Sequence, residues 1–321
     1  MNGFLLWLVL LMPVHAQQVQ EEATPTVSAL MEKLDTARMT LSYQGPVVFQ
    51  HRNRLETFLF KRSADPVEGG EYIVSTNGPL REMLRRDQWV RCVLPENGDS
   101  LVDARLMSGL FPNLNALLHE SSRAHYQWQV VGRNRIANRP VWQVRALARD
   151  GMRFHHEYWL DAQWGVLLGH VMFDAGNQPL EKTLFVDFQV IENLKLPAGH
   201  LLGRQHLSVQ AASEAGNGRV APPWEVRVPP AGFQPAGHQH LQLPDGQQQW
   251  QLRYSDGLAH VTVYVEPVVD QPLRGAFNLG AVNAFGRVDS DLQIVAMGSV
   301  PLRTLEYFAN HLQPVTKQAG P

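Results

Sequence analysis

Cysteine is almost missing from this chain: Cys92 is the only one in 321 residues. A single thiol cannot staple the chain to itself, and it excludes paired-cysteine redox motifs and cysteine-rich zinc sites. Cys92 sits in Trp89-Val90-Arg91-Cys92-Val93-Leu94, a strand-like run where a small buried hydrophobe is the expected role. An excess of charge is missing as well. The formal net charge of −2 argues against nucleic acid or an anionic membrane surface as the main partner. Long apolar runs do not occur beyond the start of the chain. Phe4 to Val14 is apolar but falls short of the ~20 residues that span a bilayer. Val14-His15-Ala16 then offers small residues before Gln17, so residues 1–16 read as a cleavable secretory signal.

Catalytic signatures are absent too. There is no Gly-x-Ser-x-Gly elbow and no phosphate-binding glycine loop in a strand–loop–helix frame. Of the 13 histidines, His155 and His156 point to opposite faces of a strand, and His238 and His240 have no third ligand at useful spacing. The sequence predicts no enzyme, no metal and no cofactor.

What is present centres on Val131 to Asp161. Asp150-Gly151 divides two alternating runs and predicts a two-residue hairpin turn. After it, Met152, Phe154, His156, Tyr158 and Leu160 share one face, and Arg153, His155, Glu157 and Trp159 the other. Trp142, Val144, Ala146 and Ala148 share a face before it. One side of this antiparallel sheet is mostly apolar and needs a cover or a guest.

Around that stretch, Thr24-Pro25 predicts a helix start, and Val27, Leu30, Met31 and Leu34 give residues 25–39 an apolar stripe. Short strands divided by turn residues follow over 43–94 and resume over 125–191, without the helical crossovers of a parallel sheet. Residues 101–120 are dense in leucine and read as short helices against the sheet, either as a mobile lid or as fixed core. The pattern suggests a curved half-barrel under helices. Trp89, Trp128, Trp142, Trp159, Trp164 and Phe185 either fill its core or line an apolar pocket.

Composition shifts after Pro197, and 201–223 reads as a linker closed by Pro222-Pro223. Beyond it, runs at Trp224–Pro229, Trp250–Tyr254, Val261–Glu266 and Leu292–Met297 predict strands. Ser255-Asp256-Gly257 reads as a hairpin turn, and Leu302 to Leu312 as a terminal helix.

Several blocks carry a resemblance. Val131-Gly132-Arg133-x-Arg135-Ile136-Ala137-x-Arg139, Ala148-Arg149-Asp150-Gly151-x-Arg153, Trp159-Leu160-Asp161 and Leu180-Glu181 closely resemble the MucB/RseB family. So do Trp224, Pro229 to Phe233, Tyr254-Ser255-Asp256-Gly257-Leu258 and Gly298-x-Val300-Pro301. The chain departs from the family pattern at Ser299, where an acid is common, and in Gly275 to Gly280, which lacks basic residues.

The resemblance implies an α+β protein. Residues 17–200 would form a large lipoprotein-carrier-like open β-barrel, a curved antiparallel sheet covered by helices, and 224–321 a smaller α/β domain. It implies a periplasmic regulator of an extracytoplasmic-stress sigma factor. Such a protein binds the periplasmic region of a membrane anti-sigma factor, shields it from proteolysis, and releases it on sensing lipid or lipopolysaccharide. Self-association into a homo-oligomer is left open. The residues expected to grip the partner are Trp224, Phe233, Arg253, Tyr254, Asp256 and Leu258, with Arg253 and Tyr254 exposed as interface anchors. Those expected to meet lipid are Trp89, Leu110, Phe111, Leu114, Leu118, Trp142, Trp159 and Phe185. The alternative reading is a periplasmic lipid or lipoprotein carrier without a sigma-factor partner.

Overall fold

The computed structural model describes residues 23–86, 89–94, 109–112, 117–119, 123–197, 220–243 and 246–315. The expected signal segment, Leu114, most of 101–120 and linker residues 201–219 lie outside them, as does the side chain of Trp89. Among the described residues the chain is dominated by sheet.

Helix α1 (Val27–Thr40) begins two residues later than Thr24-Pro25 predicts, because Thr26 is the residue that caps it. The Thr26 hydroxyl accepts from the Ala29 N–H at 3.1 Å, satisfying one of the orphan donors of the first turn. Its buried residues are Leu30, Met31, Leu34 and Ala37. Eleven strands then make one antiparallel sheet. They are β1 (Tyr43–His51), β2 (Arg54–Ser63), β3 (Gly70–Ser75), β4 (Glu82–Arg86), β5 (Trp89–Val93), β6 (Tyr126–Ile136), β7 (Arg139–Ala148), β8 (His155–Asp161), β9 (Leu167–Phe173), β10 (Pro179–Phe185) and β11 (Gln189–Val190). The spatial order is β5-β4-β3-β2-β1-β10-β9-β8-β7-β6, with β11 beside β1. The two outermost strands are not joined, so this is not a closed barrel.

Register places the apolar face. Val47 stands opposite both Phe58 and Phe185, Tyr158 opposite Val144, and Leu160 opposite Trp142. Helix α1 lays Leu30, Met31 and Leu34 on the β6–β9 part of that face, against Trp142, Val144, Tyr158 and Leu160. Burying each such side chain is worth about 1.5–3 kcal/mol. Leu110 and Phe111 cover the β1–β2–β10 part, where the Thr183 hydroxyl donates to the Leu110 carbonyl at 3.0 Å. Cys92 is buried in the same core, and burial pushes its thiol up to about 11, as befits an inert filler.

The second part is a six-stranded antiparallel sheet in the order β13-β14-β15-β18-β17-β16, carrying one helix. Its strands are β13 (Gln234–Gln242), β14 (Gln248–Ser255), β15 (His260–Pro267), β16 (Gly275–Leu279), β17 (Val282–Asp289) and β18 (Leu292–Gly298). Helix α2 (Leu302–Asn310) buries Leu305 and Phe308 against it. A two-stranded ribbon joins β12 (Trp224–Val226) to β19 (Leu312–Pro314). The architecture is therefore more sheet-rich than the expected pairing of a helix-covered barrel with an α/β domain.

Candidate functional site

The Asp150-Gly151 turn is not a two-residue hairpin. Strand β7 ends at Ala148 and β8 starts at His155, so 149–154 forms a longer connection. That lengthening changes the role of Arg153. Expected on the polar face of a strand, it is 2% exposed and reaches across to the smaller sheet. Its Nε donates to the Asp256 carboxylate and its Nη1 to Asp150 Oδ2 at 2.5 Å. Its Nη2 donates to the Ala231 carbonyl at 2.6 Å, and the guanidinium lies 4.6 Å from the centre of the Phe233 ring. The planar fork of arginine allows all these contacts at once; a lysine offers a single point charge.

Asp256 is shaped for this by its own turn. Between β14 and β15, its Oδ1 accepts from the Leu258 and Ala259 N–H groups, which leaves Oδ2 for Arg153. Around this ion pair the two sheets meet closely. The Thr304 hydroxyl donates to the Met152 carbonyl at 2.8 Å, and Arg52 Nη2 to the Asn278 carbonyl at 2.6 Å. Phe154, Met172 and Ala281 form a small apolar cluster between them. Gly232, at φ +87, lies directly on His125: a Cβ there would stand 2.1 Å from the ring.

Beneath the joint, the apolar face turns polar. Cross-strand pairing puts His51 opposite Glu181, Glu181 opposite Met172, and Met172 opposite His156. The next row runs Thr183, His170, Tyr158. His156 Nδ1 and His170 Nε2 are 3.0 Å apart, and His51 Nδ1 is 3.6 Å from Glu181. The Tyr126 and Tyr158 hydroxyls are buried without a hydrogen-bond partner. Burial, then the nearby Asp256 charge, holds both phenols well above their ordinary range. Tyr158→Phe removes such an unmatched hydroxyl, so the substitution is expected to be neutral or to stabilise by up to about 1 kcal/mol. Urea unfolding measures this; a loss above ~2 kcal/mol would reveal a partner for the hydroxyl.

The expected gripping residues divide between the joint and the smaller core. Asp256 and Leu258 stand at the joint, Leu258 against the apolar face beside α1. Tyr254 is not exposed. It is 3% accessible, packs on Phe308 with ring centres 4.9 Å apart, and accepts the Val226 N–H at 2.9 Å. Phe233 is fully buried between Arg153 and Phe308, and Arg253 is half-buried. Trp224 packs against the smaller core, its ring centre 6.4 Å from that of Trp250.

The expected lipid set does not share one face. Trp142 pairs with Leu160 but Trp159 pairs with Gln143, so the two indoles leave the sheet on opposite sides. Leu110, Phe111 and Phe185 do meet, with Phe111 and Phe185 stacked at 5.4 Å. Leu118 packs at the α1 side. Sequence reasoning missed Arg153 and the His51–Glu181 pair; the Asp150-to-Arg153 spacing was the available local signal for the first.

The site is thus a buried ion pair that joins two antiparallel sheets. The MucB/RseB N-terminal domain matches residues 26–203 and the MucB/RseB C-terminal domain residues 219–313. The chain belongs to the MucB/RseB family. It is 26% identical over 327 residues to the sigma factor AlgU regulatory protein MucB of Pseudomonas aeruginosa, covering 98% of this chain and 97% of that one. It is 23% identical over 299 residues to the sigma-E factor regulatory protein RseB of Escherichia coli, covering 91% and 92%. The fold is similar to MucB solved in complex with MucA(peri), with a TM-score of 0.69 at 22% identity over 91% of this chain and 100% of that one. A Pseudomonas aeruginosa MucA/MucB complex gives a TM-score of 0.71 at 22% identity, covering 90% and 99%.

Proposed function

We propose that this chain is a periplasmic, non-catalytic regulator of an extracytoplasmic-stress sigma factor, acting by binding the periplasmic region of a membrane anti-sigma factor. The observation that carries the reading is likeness over both domains and nearly the full length to proteins named as sigma-factor regulators. The geometry supports it physically. A partner that contacts both sheets profits from their being held in one arrangement by Arg153 and Asp256, because less ordering remains to be done on binding. In this reading Leu258 and the neighbouring face of Arg253 meet the partner, with Asp256, Trp224, Phe233 and Tyr254 supporting them from within.

In this reading the larger sheet is the lipid sensor. Its open edges and the aromatic layer of Phe60, Phe185 and Phe188 give an acyl chain an apolar surface once the 109–112 cover, carrying Leu110 and Phe111, moves aside. Trp142 and Leu118 extend that surface toward α1. Lipid weakens partner binding only if it prefers an arrangement of the two sheets that the partner does not.

Calorimetric titration with the periplasmic domain of a membrane anti-sigma factor from the same organism tests the reading. Saturable binding with Kd at or below about 1 μM, near −8 kcal/mol, is expected. No heat and no co-elution at tenfold higher concentration would overturn it. Saturable partner binding unaffected by added lipopolysaccharide would remove the lipid-sensing half alone.

A further inference from the structure

We infer that the open edge of strand β6 is a docking strip for one extended, acidic segment of the anti-sigma factor, which joins the larger sheet as a further strand. The strip rests on the function proposed above and narrows it to one strand of this chain and one kind of partner segment.

From Ser121 to Arg149 the chain has six arginines and no aspartate or glutamate, in a molecule whose formal net charge is −2. The β6–β7 hairpin is therefore opposite in sign to the chain as a whole. Two of these arginines, Arg139 and Arg145, face the carboxylates of Asp161 and Glu157. Arg149 stands where β6 begins, its Nε donating to the Tyr126 carbonyl at 3.3 Å. Arg133 and Arg135 lie on β6 itself, and both are exposed.

The backbone of the same strand has room for a neighbour. Among the described residues β6 pairs with β7 alone. The Arg149 N–H donates to the His125 carbonyl at 3.0 Å, which fixes the alternation along the strand. Gln127 and Gln129 follow His125 in facing β7, while Trp128 and Val130 turn their N–H and C=O groups outward. Past the register shift between Val130 and Gly132, Arg135 stands opposite Pro140, which has no N–H to give. Arg133 and Arg135 thus belong to the outward set as well. Such a row of donors and acceptors is matched by another extended backbone, whereas a lipid phosphate offers no corresponding row.

Side chains define what fits. Trp128 stands opposite Ala146, Val130 opposite Val144, and Arg133 opposite Trp142, and these three partners share the face that α1 covers. The register shift therefore brings Arg133 and Arg135 onto the same face as Trp128 and Val130. The Arg133 guanidinium lies 4.6 Å from the centre of the Trp142 ring. Nearer the joint the edge shows two half-buried apolar residues, in the cluster that Leu258 of the smaller sheet also joins. Farther along it shows two cations. A matching segment carries two carboxylates two residues apart, opposite Arg133 and Arg135, and apolar side chains at alternate positions beside Trp128 and Val130. A second copy of β6 brings arginines where carboxylates belong, so it is the poorer occupant.

Calorimetric titration of the full chain with the periplasmic domain of a membrane anti-sigma factor from the same organism, run beside hydrogen exchange, tests the strip. Binding is expected to slow exchange of the Trp128, Val130, Arg133 and Arg135 amides. The double variant Arg133→Glu/Arg135→Glu is expected to raise Kd by about tenfold or more. Charge reversal keeps like signs along the edge, so it does not invite self-pairing. Wild-type binding without protection on β6, or an unchanged Kd in the variant, overturns the strip and leaves the proposed function standing. No binding by the wild type overturns both. Protection of these amides in concentrated protein without partner assigns the edge to a second copy. Loss of binding to phosphatidylglycerol vesicles in the variant, with partner affinity unchanged, assigns the arginines to a membrane; either result rejects the strip. Should the variant fail to fold, amide protection in the wild type decides alone.

Discussion

Arg153→Ala is expected to destabilise the protein by about 3–5 kcal/mol, because it strands a buried Asp256 charge without its partner. The same change removes the donor to the Ala231 carbonyl and the cation above Phe233. Since these contacts all cross between the sheets, the loss should fall on their cohesion. Calorimetry of the wild type is expected to show one cooperative transition and that of the variant two, the smaller sheet melting first. Arg153→Lys should recover only part of the loss, as one ammonium cannot serve Asp256, Asp150 and a carbonyl together. The double variant Arg153→Met/Asp256→Leu should be milder than Arg153→Ala, because no charge is left buried. A single transition with Tm unchanged within ~2 °C in Arg153→Ala would mean that the apolar cluster and the Thr304 and Arg52 hydrogen bonds suffice without it.

Phe185→Ala is expected to cost a further-reaching 3–5 kcal/mol, roughly the usual price of emptying a buried aromatic site. Phe185 meets Phe60, Phe111 and Phe188 with ring centres 5.7, 5.4 and 5.7 Å away, so it is the floor on which the 109–112 cover rests. Urea unfolding should show a lower midpoint with little change in slope, as the unfolded surface is nearly the same. Unlike Arg153→Ala, this change should leave the contacts around Arg153 and Asp256 intact, and hydrogen exchange at 255–260 should stay slow. Accelerated exchange there would show that the cover and the joint act as one unit, which the separation of their contacts does not suggest.

Much of the larger sheet was legible because its strands alternate and its turns carry their own chemistry. Tyr43–His51 is an example: every second residue is buried, and it opens at residue 43, where the run of strands is expected to begin. Helix α1 was legible from its stripe, though its cap was placed two residues early, Thr24-Pro25 being as good a local start as Thr26. The polar edge strand Gln234–Gln242 escaped because its residues show little apolar alternation. Gly275–Leu279 and Val282–Asp289 escaped for a related reason: glycine, asparagine and alanine blur the period in both. Arg153 was misplaced because the Asp-Gly pair is a strong hairpin signal, and local sequence contains nothing about a carboxylate 103 residues away. Tyr254 was taken as an exposed anchor from its residue type; alternation along Gln248–Ser255 in fact buries it beside Trp250 and Leu252.

The unjoined ends of the larger sheet have a consequence for how copies of the molecule behave toward one another. Strand β6 runs for 11 residues and, among the described residues, pairs with β7 alone, so its other flank carries backbone groups able to recruit a stranger's strand. The register shift between Val130 and Gly132 kinks that flank, and the exposed side chains of Arg133 and Arg135 add like charge where two such flanks would zip together. Neutralising those two arginines is therefore expected to raise self-association at high concentration, as read by light scattering.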